Sequence, residues 1–374
     1  MVMRCKYTKL CGGCTSVNEG YAKSLVEKKE YLQKLFEDIG KVQDVVGNFY
    51  PYKYRNKLQL AFTQFKGKTI MGFFEEGTTK VVDINGCILN GDWSNTLISI
   101  LREYISRFKI RGYTDGAGVL RYAHARCIQN KIQLTLCVTT DNFPGRDWLY
   151  KKLQENFSQV SLYLNINRRT DRAVFDNHFK FVAGSKYLSF DFIGISVSIE
   201  PASFLQVNLA IAEKMYKKSL DLLEVNSNTS VIDLYSGIGI TSIMFSKIAK
   251  EVLAIEENPK AVSNAIYMSK INNAKNIKFV SGKCEENLKL IESGEDTVVF
   301  VDPARMGLNT AVIERLKNIN PRKIVYMSCN PETCVRDIKQ LISDNKYIVS
   351  DILPYDMFAC TKHAEVLVCL QRQV

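Results

Sequence analysis

The stretch Val231-Ile-Asp233-Leu-Tyr235-Ser-Gly237-Ile-Gly239 decides the fold of this chain. A short β-branched run ends on an acid, two glycines follow two positions apart, and a helix-like segment opens behind them. Glycine lets the backbone turn sharply there and approach a ligand. Outward from this point, strand-like runs alternate with helix-length segments: Val231–Leu234, Val252–Ile255, Ile277–Val280, Val298–Val301 and Ile324–Met327. That alternation predicts a parallel, doubly wound α/β sheet. Two further runs, near Ile348–Leu353 and Glu365–Leu370, have no helix-length segment between them and predict a hairpin added to the sheet.

Upstream the periodicity is different. From about Val17 to Ile39, Tyr21, Leu25, Leu32, Leu35 and Phe36 fall near one helical stripe. From about Val45 to Ser198, short β-like runs dominate: Lys57–Gln64, Thr69–Phe74, Val119–His124, Ile132–Thr139, Leu162–Ile166 and Ile193–Ile199. Gly and Asn clusters separate them as in an antiparallel sheet, with one helix, Asp92–Lys109, interrupting. A chain of 374 residues exceeds one ordinary core. The expected domains are therefore a β-rich one over 1–16 and 45–198, an α/β domain over 199–374, and a helix over 17–44 packing on that α/β domain. The expected fold class is α/β: a Rossmann-like domain of the class I methyltransferase type plus a smaller β-rich domain. No internal repeat or low-complexity segment is apparent.

Lys and Arg number 50 against 39 Asp and Glu, and a net charge of +11 favours a polyanionic partner over an acidic surface. No apolar run is long enough to span a membrane, and the N-terminus lacks a signal pattern. Eleven cysteines without a signal peptide point to a reducing, cytoplasmic setting where thiols serve metals or catalysis. Cys137 and Cys369, in alternating apolar runs, read as buried small hydrophobes. Nothing in the sequence calls for an obligate protein partner, and a monomer is expected.

The Asp233–Gly239 loop lacks the third glycine of a dinucleotide fingerprint, having Ser242 there, and lacks the lysine of a P-loop. Gly237 gives the turn, and Glu256 at the next strand end can accept hydrogen bonds from ribose hydroxyls. This arrangement resembles S-adenosylmethionine enzymes more than NAD enzymes. Lys283 and Cys284 occupy the turn after the third strand, where an adenine would lie.

Asp302-Pro-Ala-Arg305 and Ser328-Cys329-Asn-Pro331 sit just past strand ends, and His363-Ala-Glu365 begins the last strand. In open α/β sheets that edge binds ligands. These residue types suit methylation of a pyrimidine at carbon 5, which is a poor nucleophile until a thiolate adds to carbon 6. The reaction then needs one Cys, one base and one group reading the pyrimidine edge: Cys329, Glu365 and Asp302. The thiolate is the reactive form, so Cys329 needs a setting that favours the anion. In isolation a Cys after a strand reads as core, Glu365 as a surface carboxylate and Asp302 before Pro as a turn. It is their shared edge that joins them.

Taken with Ser203-Phe-Leu-Gln206-Val-Asn208 and Thr361-Lys-His363, these motifs stand in the order seen in the RNA (uracil-5-)methyltransferase family, which the chain resembles over nearly its whole length. The resemblance implies that Gln206, Tyr235, Gly237, Glu256 and Asp302 line the S-adenosylmethionine site, that Asp302 also touches the target uracil, that Cys329 is the nucleophile and that Glu365 is the base. One departure is Phe358-Ala-Cys360, where the family more often has Phe-Pro; it is expected to loosen the loop carrying Glu365.

Cys5, Cys11 and Cys14, with Cys87 far on, form a triplet plus a remote fourth thiol, a common way to hold a [4Fe–4S] cluster. Zinc and free thiols are the alternatives, while a redox pair lacks its βαβ context. By the resemblance, the ribosomal RNA branch carries such a cluster and the transfer RNA branch typically does not. The cluster is expected to be structural, tying the N-terminal segment to an iron–sulfur and RNA-binding β-rich domain. Tyr52-Lys-Tyr54-Arg55-Asn-Lys57 interleaves aromatics with cations, and Arg121, Arg126, Arg168 and Arg169 add charge; these predict the RNA surface. A separate N-terminal β-barrel RNA module (TRAM) is not expected, a build that resembles the branch acting on a 23S rRNA hairpin loop. The expected substrate is thus 23S rRNA and the product 5-methyluridine, made after the base is extruded into the pocket. The transfer RNA T-loop is the enzymatic alternative. A non-catalytic iron–sulfur RNA-binding protein is the other.

Overall fold

The computed structural model describes residues 5–17, 20–171 and 173–373. Parts of the sequence reading that fall on residues 1–4, 18, 19, 172 and 374 lie outside them. The chain forms two compact units. One comprises Met1–Gly20, Tyr50–Phe190 and Ser198–Ala202; the other comprises Tyr21–Phe49, Asp191–Val197 and Ser203–Val374.

Helix α1 (Tyr21–Leu35) therefore counts with the second unit. The first unit is built on strands β1 (Lys57–Phe65), β2 (Lys68–Phe74) and β3 (Val81–Asp83), helix α2 (Asp92–Phe108), strands β4 (Leu120–Ile128) and β5 (Lys131–Val138), helix α3 (Arg146–Gln154), and strands β6 (Gln159–Ile166) and β7 (Phe179–Gly184). They make a seven-stranded sheet in the order β3-β2-β1-β4-β5-β6-β7. The sheet is mixed rather than antiparallel, because β5 and β6 run parallel. A parallel pair needs a crossover, and α3 supplies it, a second helix beyond the one expected. One face packs Leu58, Leu60 and Phe62 of β1 and Leu134 and Leu136 of β5 against Leu97, Leu101 and Tyr104 of α2. Strand alternation puts Lys57, His124, Arg126 and Gln133 on the opposite face, through the pairs Lys57↔Arg126 and Arg126↔Gln133.

A hairpin of β8 (Leu188–Phe192) and β9 (Ile195–Ile199) is where the division of the chain falls, its tip belonging to the second unit. The boundary is thus not the single cut at 198/199 that periodicity suggests.

The second unit adds α4 (Leu209–Leu223), β10 (Ser230–Leu234), α5 (Ile240–Ser246), β11 (Glu251–Glu256), α6 (Pro259–Ile271), β12 (Ile277–Ser281), β13 (Thr297–Val301), α7 (Thr310–Ile319), β14 (Lys323–Ser328), α8 (Pro331–Leu341), β15 (Tyr347–Tyr355) and β16 (Glu365–Arg372). Strand order is β12-β11-β10-β13-β14-β16-β15. The first five strands are parallel, and β16 inserts antiparallel between β14 and β15. β13 and β14 are buried throughout, which is why they read as unbroken apolar runs. Leu32 and Phe36 from the α1 region are wholly buried in the core that holds β13, β14 and β16. Residues beyond α1 run beside β15, with Gln43 N–H donating to Ile352 O and Val46 N–H to Pro354 O.

Candidate active site

Register alone brings three distant residues to one edge of the second sheet. Leu234 pairs with Val301, and Val301 with Tyr326, so Tyr235, Asp302 and the residues after Tyr326 leave the sheet together. β16 runs the other way, and Ser328 pairs with Val366. Glu365, the first residue of β16, therefore lies beside Cys329, which follows the last residue of β14. His363 precedes the strand, in the loop leading to it.

The electrostatics of the site follow from that placement. Cys329 is half-buried, and burial pushes its thiol up, followed by the charges of Glu365 and Asp302; Arg305 opposes them. Glu365 is 2% exposed, and its Oε2 has no hydrogen-bond partner. Burial, then Asp302, lifts its carboxyl to about 8. Asp302 is lifted to about 7 by burial and by Asp233. Two carboxyls this close resist ionising together, so the site holds a proton near neutral pH.

The loop carrying Arg305 is fixed from α8. Asn330 Nδ2 and Thr333 Oγ1 donate to Arg305 O at 3.0 and 3.1 Å, and Arg336 Nη2 donates to Met306 O at 2.8 Å. Buried Asp337 accepts Leu308 N–H at 2.7 Å and the Tyr326 hydroxyl at 2.8 Å. These bonds fix the backbone of the loop carrying Arg305, whose charge favours the Cys329 thiolate.

The glycine loop has the expected shape. Tyr235, Gly237 and Gly239 all have positive φ, at 63°, 55° and 80°. A Cβ on Gly239 would lie 2.9 Å from Ala265 Cβ, whereas one on Gly237 would meet nothing within 4 Å. Gly239 is thus required for packing, and Gly237 leaves open space over the backbone, the space a nucleoside cofactor needs. Glu256 accepts Gly237 N–H at 3.0 Å and Asn258 N–H at 2.8 Å, bracing the loop while keeping a lone pair on each oxygen. Asp233 is buried beneath, bonded to Thr241 and Ser242, and burial raises it to about 6. The Tyr235 hydroxyl pairs with the Cys284 thiol. That contact turns the ring toward the β12 turn.

Sequence reading missed Tyr216. It is buried on α4, accepts a hydrogen bond from Gln206, and feels the charges of Asp302, Glu365 and Asp233. Gln206, expected to touch the cofactor, is thereby grouped with the two expected substrate-side carboxyls. On sequence Tyr216 is one more apolar-stripe residue, with no signal of its own. The loop carrying Glu365 is tied rather than loose despite Phe358-Ala-Cys360: Thr361 Oγ1 donates to Phe358 O at 2.7 Å, Lys28 Nζ to Phe358 O at 3.3 Å, and Asn208 Nδ2 to Met357 O at 3.3 Å.

In the first unit the four early cysteines, Cys5, Cys11, Cys14 and Cys87, are all half-buried. Cys11 Sγ accepts Gly13 N–H at 3.4 Å, and the backbone at Leu89 and Asn90 bonds to Cys87. Burial raises both thiols, while Arg55, beside them, pulls them down. N–H donors and a guanidinium suit thiolate ligands. Among the described residues, no three Cys, His, Asp or Glu side chains stand in a metal-holding arrangement.

The predicted RNA surface needs correction. Tyr52 is buried, edge-on to Tyr50 at 5.6 Å, and Lys53 pairs with Asp92. Arg121 is buried and bonded to Asn167, Arg169 and Asp171, while Arg169 pairs with Asp171. Arg126 is 4% exposed, and burial lowers it to about 10. Most of these groups are spent on their own unit or desolvated.

No helix among the described residues is long and apolar enough to cross a membrane. Residues 20–373 match the tRNA (Uracil-5-)-methyltransferase family. The chain is 32% identical to an uncharacterized RNA methyltransferase of Clostridium acetobutylicum, over 98% of this chain and 83% of that one. It is also 32% identical to one from Caldanaerobacter subterraneus subsp. tengcongensis, over 98% and 84%. Its fold superposes on the Pyrococcus abyssi tRNA (uracil-54, C5)-methyltransferase, solved with S-adenosyl-L-homocysteine, with TM-score 0.80 and 27% identity over 96% of this chain and 86% of that one. The chain therefore belongs to the tRNA (uracil-5-)-methyltransferase family, as an S-adenosylmethionine-dependent enzyme acting on uracil carbon 5 in RNA.

Proposed function

We propose that this enzyme forms 5-methyluridine at a specific uridine of 23S rRNA. The observation that carries the chemistry is the meeting of Cys329, Asp302 and Glu365 at one sheet edge. Gln206, Tyr235, Gly237, Glu256 and Asp302 would hold S-adenosylmethionine, which would supply an electrophilic methyl group.

The chain's own residues do the rest. Cys329 Sγ adds to carbon 6, the carbon 5–carbon 6 π pair moves toward the O4 enolate, and carbon 5 becomes nucleophilic. Asp302, protonated near neutral pH, can donate to the pyrimidine edge. Once carbon 5 carries the methyl, Glu365 as carboxylate removes its proton. The electron pair left behind re-forms the double bond and expels the Cys329 thiolate. Glu365 must itself be ionised for that step, against the pull that holds its proton.

The four-cysteine set supports the ribosomal substrate and a structural [4Fe–4S] cluster on Cys5, Cys11, Cys14 and Cys87. The cluster reading rests on the cysteine spacing rather than on a metal-holding arrangement of side chains, and the N–H donors to sulfur and the nearby Arg55 favour thiolates there. A second reading, a transfer RNA substrate, is favoured by the likeness to the Pyrococcus abyssi enzyme. Methyl transfer from labelled S-adenosylmethionine to unmodified rRNA and tRNA in parallel, with the nucleoside identified, separates the two. Label in 23S rRNA as 5-methyluridine is the expected result, and label in tRNA alone would overturn the ribosomal assignment.

A further inference from the structure

The first unit carries a cavity of about 710 Å³ between the β1–β2 hairpin and the C-terminal end of α2. Lys68, Arg102, Lys109 and Arg111 line it, with Gln64 and Thr69, and no carboxylate does. Arg102 is partly neutralised, its Nη2 donating to Asp83 Oδ1 and to Ile84 O at 2.7 Å, while its Nε has no partner. Lys68, Lys109 and Arg111 are exposed and have no ion-pair partner among the described residues. The α2 C-terminus contributes a partial charge of only about −0.5, which three unpaired cations outweigh. The concavity is thus a net positive well in which Arg102 is partly balanced by Asp83, while Lys68, Lys109 and Arg111 are not balanced by any ion pair among the described residues.

Its walls are preorganised. Thr69 Oγ1 donates to Ile110 O at 2.7 Å and accepts from Gln64 Nε2 at 2.7 Å and Gly112 N–H at 3.0 Å. Those bonds join the hairpin to the chain after α2 and fix the spacing of the cations. At the hairpin tip, Phe65 is 54% exposed, and Lys66 Nζ lies 5.5 Å from its ring centroid. An exposed ring beside unpaired cations matches a nucleic acid, which offers a base face and a phosphate together.

We propose that this groove is a docking site for the phosphodiester backbone of the substrate RNA, with Phe65 stacking on an unpaired base. The proposal rests on the RNA-methylation reading and adds a contact region outside the Tyr52–Lys57 stretch. It also gives a role to cations that the catalytic site leaves unused.

The test compares the full-length wild type with Lys68→Ala/Lys109→Ala/Arg111→Ala, and separately with Phe65→Ala. RNA binding is measured by anisotropy on an unmodified rRNA fragment across a salt series. Methyl transfer and S-adenosylmethionine affinity are measured alongside. The triple variant should lose about 0.9 from the salt slope for each phosphate contact removed, and roughly tenfold or more in affinity. KM for RNA should rise while kcat at saturating RNA and cofactor affinity hold. Phe65→Ala should weaken RNA binding without changing the slope. A triple variant with wild-type affinity and slope, in a preparation that methylates RNA, overturns the groove and leaves the activity standing. Groove-dependent RNA binding without any methyl transfer would keep the groove and overturn the activity. A wild type that binds no RNA overturns both.

Discussion

Lys28 and Asp356 form an ion pair whose side chains are 4% and 0% exposed, joining α1 to the start of the loop that ends at Glu365. The Tyr21 hydroxyl donates to Asp356 Oδ2 at 2.6 Å, and Asn48 Nδ2 donates to Asp356 O at 2.7 Å. Asn208, the N-cap of α4, donates to Asn48 Oδ1 at 2.7 Å. One buried network thus ties the loop before Glu365 to the segment carrying Gln206. Removing one partner of such a pair leaves an uncompensated buried charge, so Lys28→Met should cost about 3–5 kcal/mol. Urea denaturation measures the loss. Turnover below the melting range should fall mainly through kcat, because it is the base that loses its support. An unchanged midpoint would show the pair to be energetically idle.

Cys329→Ala should abolish methyl transfer while RNA affinity stays within a few-fold of wild type, since the sulfur acts on carbon 6 and not on the phosphates. Single-turnover assays beside a binding titration check this. Retained turnover would remove Cys329 as nucleophile.

Glu365→Gln should halt the reaction after methyl addition, because the thiolate leaves only when the carbon 5 proton has gone. A covalent RNA–protein adduct should then survive a denaturing gel. Loss of activity with no adduct would mean that Glu365 acts before the thiol adds.

The carboxyl pair also predicts the pH dependence of stability. Unfolded, Glu365 and Asp302 ionise near 4.5 and 3.8; folded, they keep their protons to about 8 and about 7. Between those limits the folded chain binds more protons, so stability falls as pH rises through that window. Denaturation midpoints between about pH 5 and about pH 9 should drop for wild type and drop less for Glu365→Gln, which removes one of the two titrations. Equal slopes would refute the assignment.

Protein prepared without oxygen should contain about four iron and four sulfide per chain if the four cysteines hold a [4Fe–4S] cluster. Cys87→Ser should lose the iron and unfold earlier. Zinc in place of iron would assign the set to a structural zinc site.

The linear sequence was enough to place the parallel strands along the chain and the acids and thiol at their ends. Strands buried on both faces must be continuous apolar runs, and ligand residues must follow where those runs stop. The tertiary structure alone decided which polar groups keep their freedom. Arg121 and Tyr52 look like RNA contacts in sequence, yet Arg121 is consumed by internal hydrogen bonds and Tyr52 is buried, while Lys68, Lys109 and Arg111, around one cavity, have no ion-pair partner among the described residues. The parallel pairing of β5 and β6 depended on α3, a nine-residue helix with only Leu149 and Leu153 buried, too weak a stripe to read. Tyr216 beside the carboxyls, and Lys28 against Asp356 across 328 positions, are contacts between segments that no local pattern encodes. Periodicity reports which face of an element is dry; which distant group meets it there is settled only when the elements pack and water leaves.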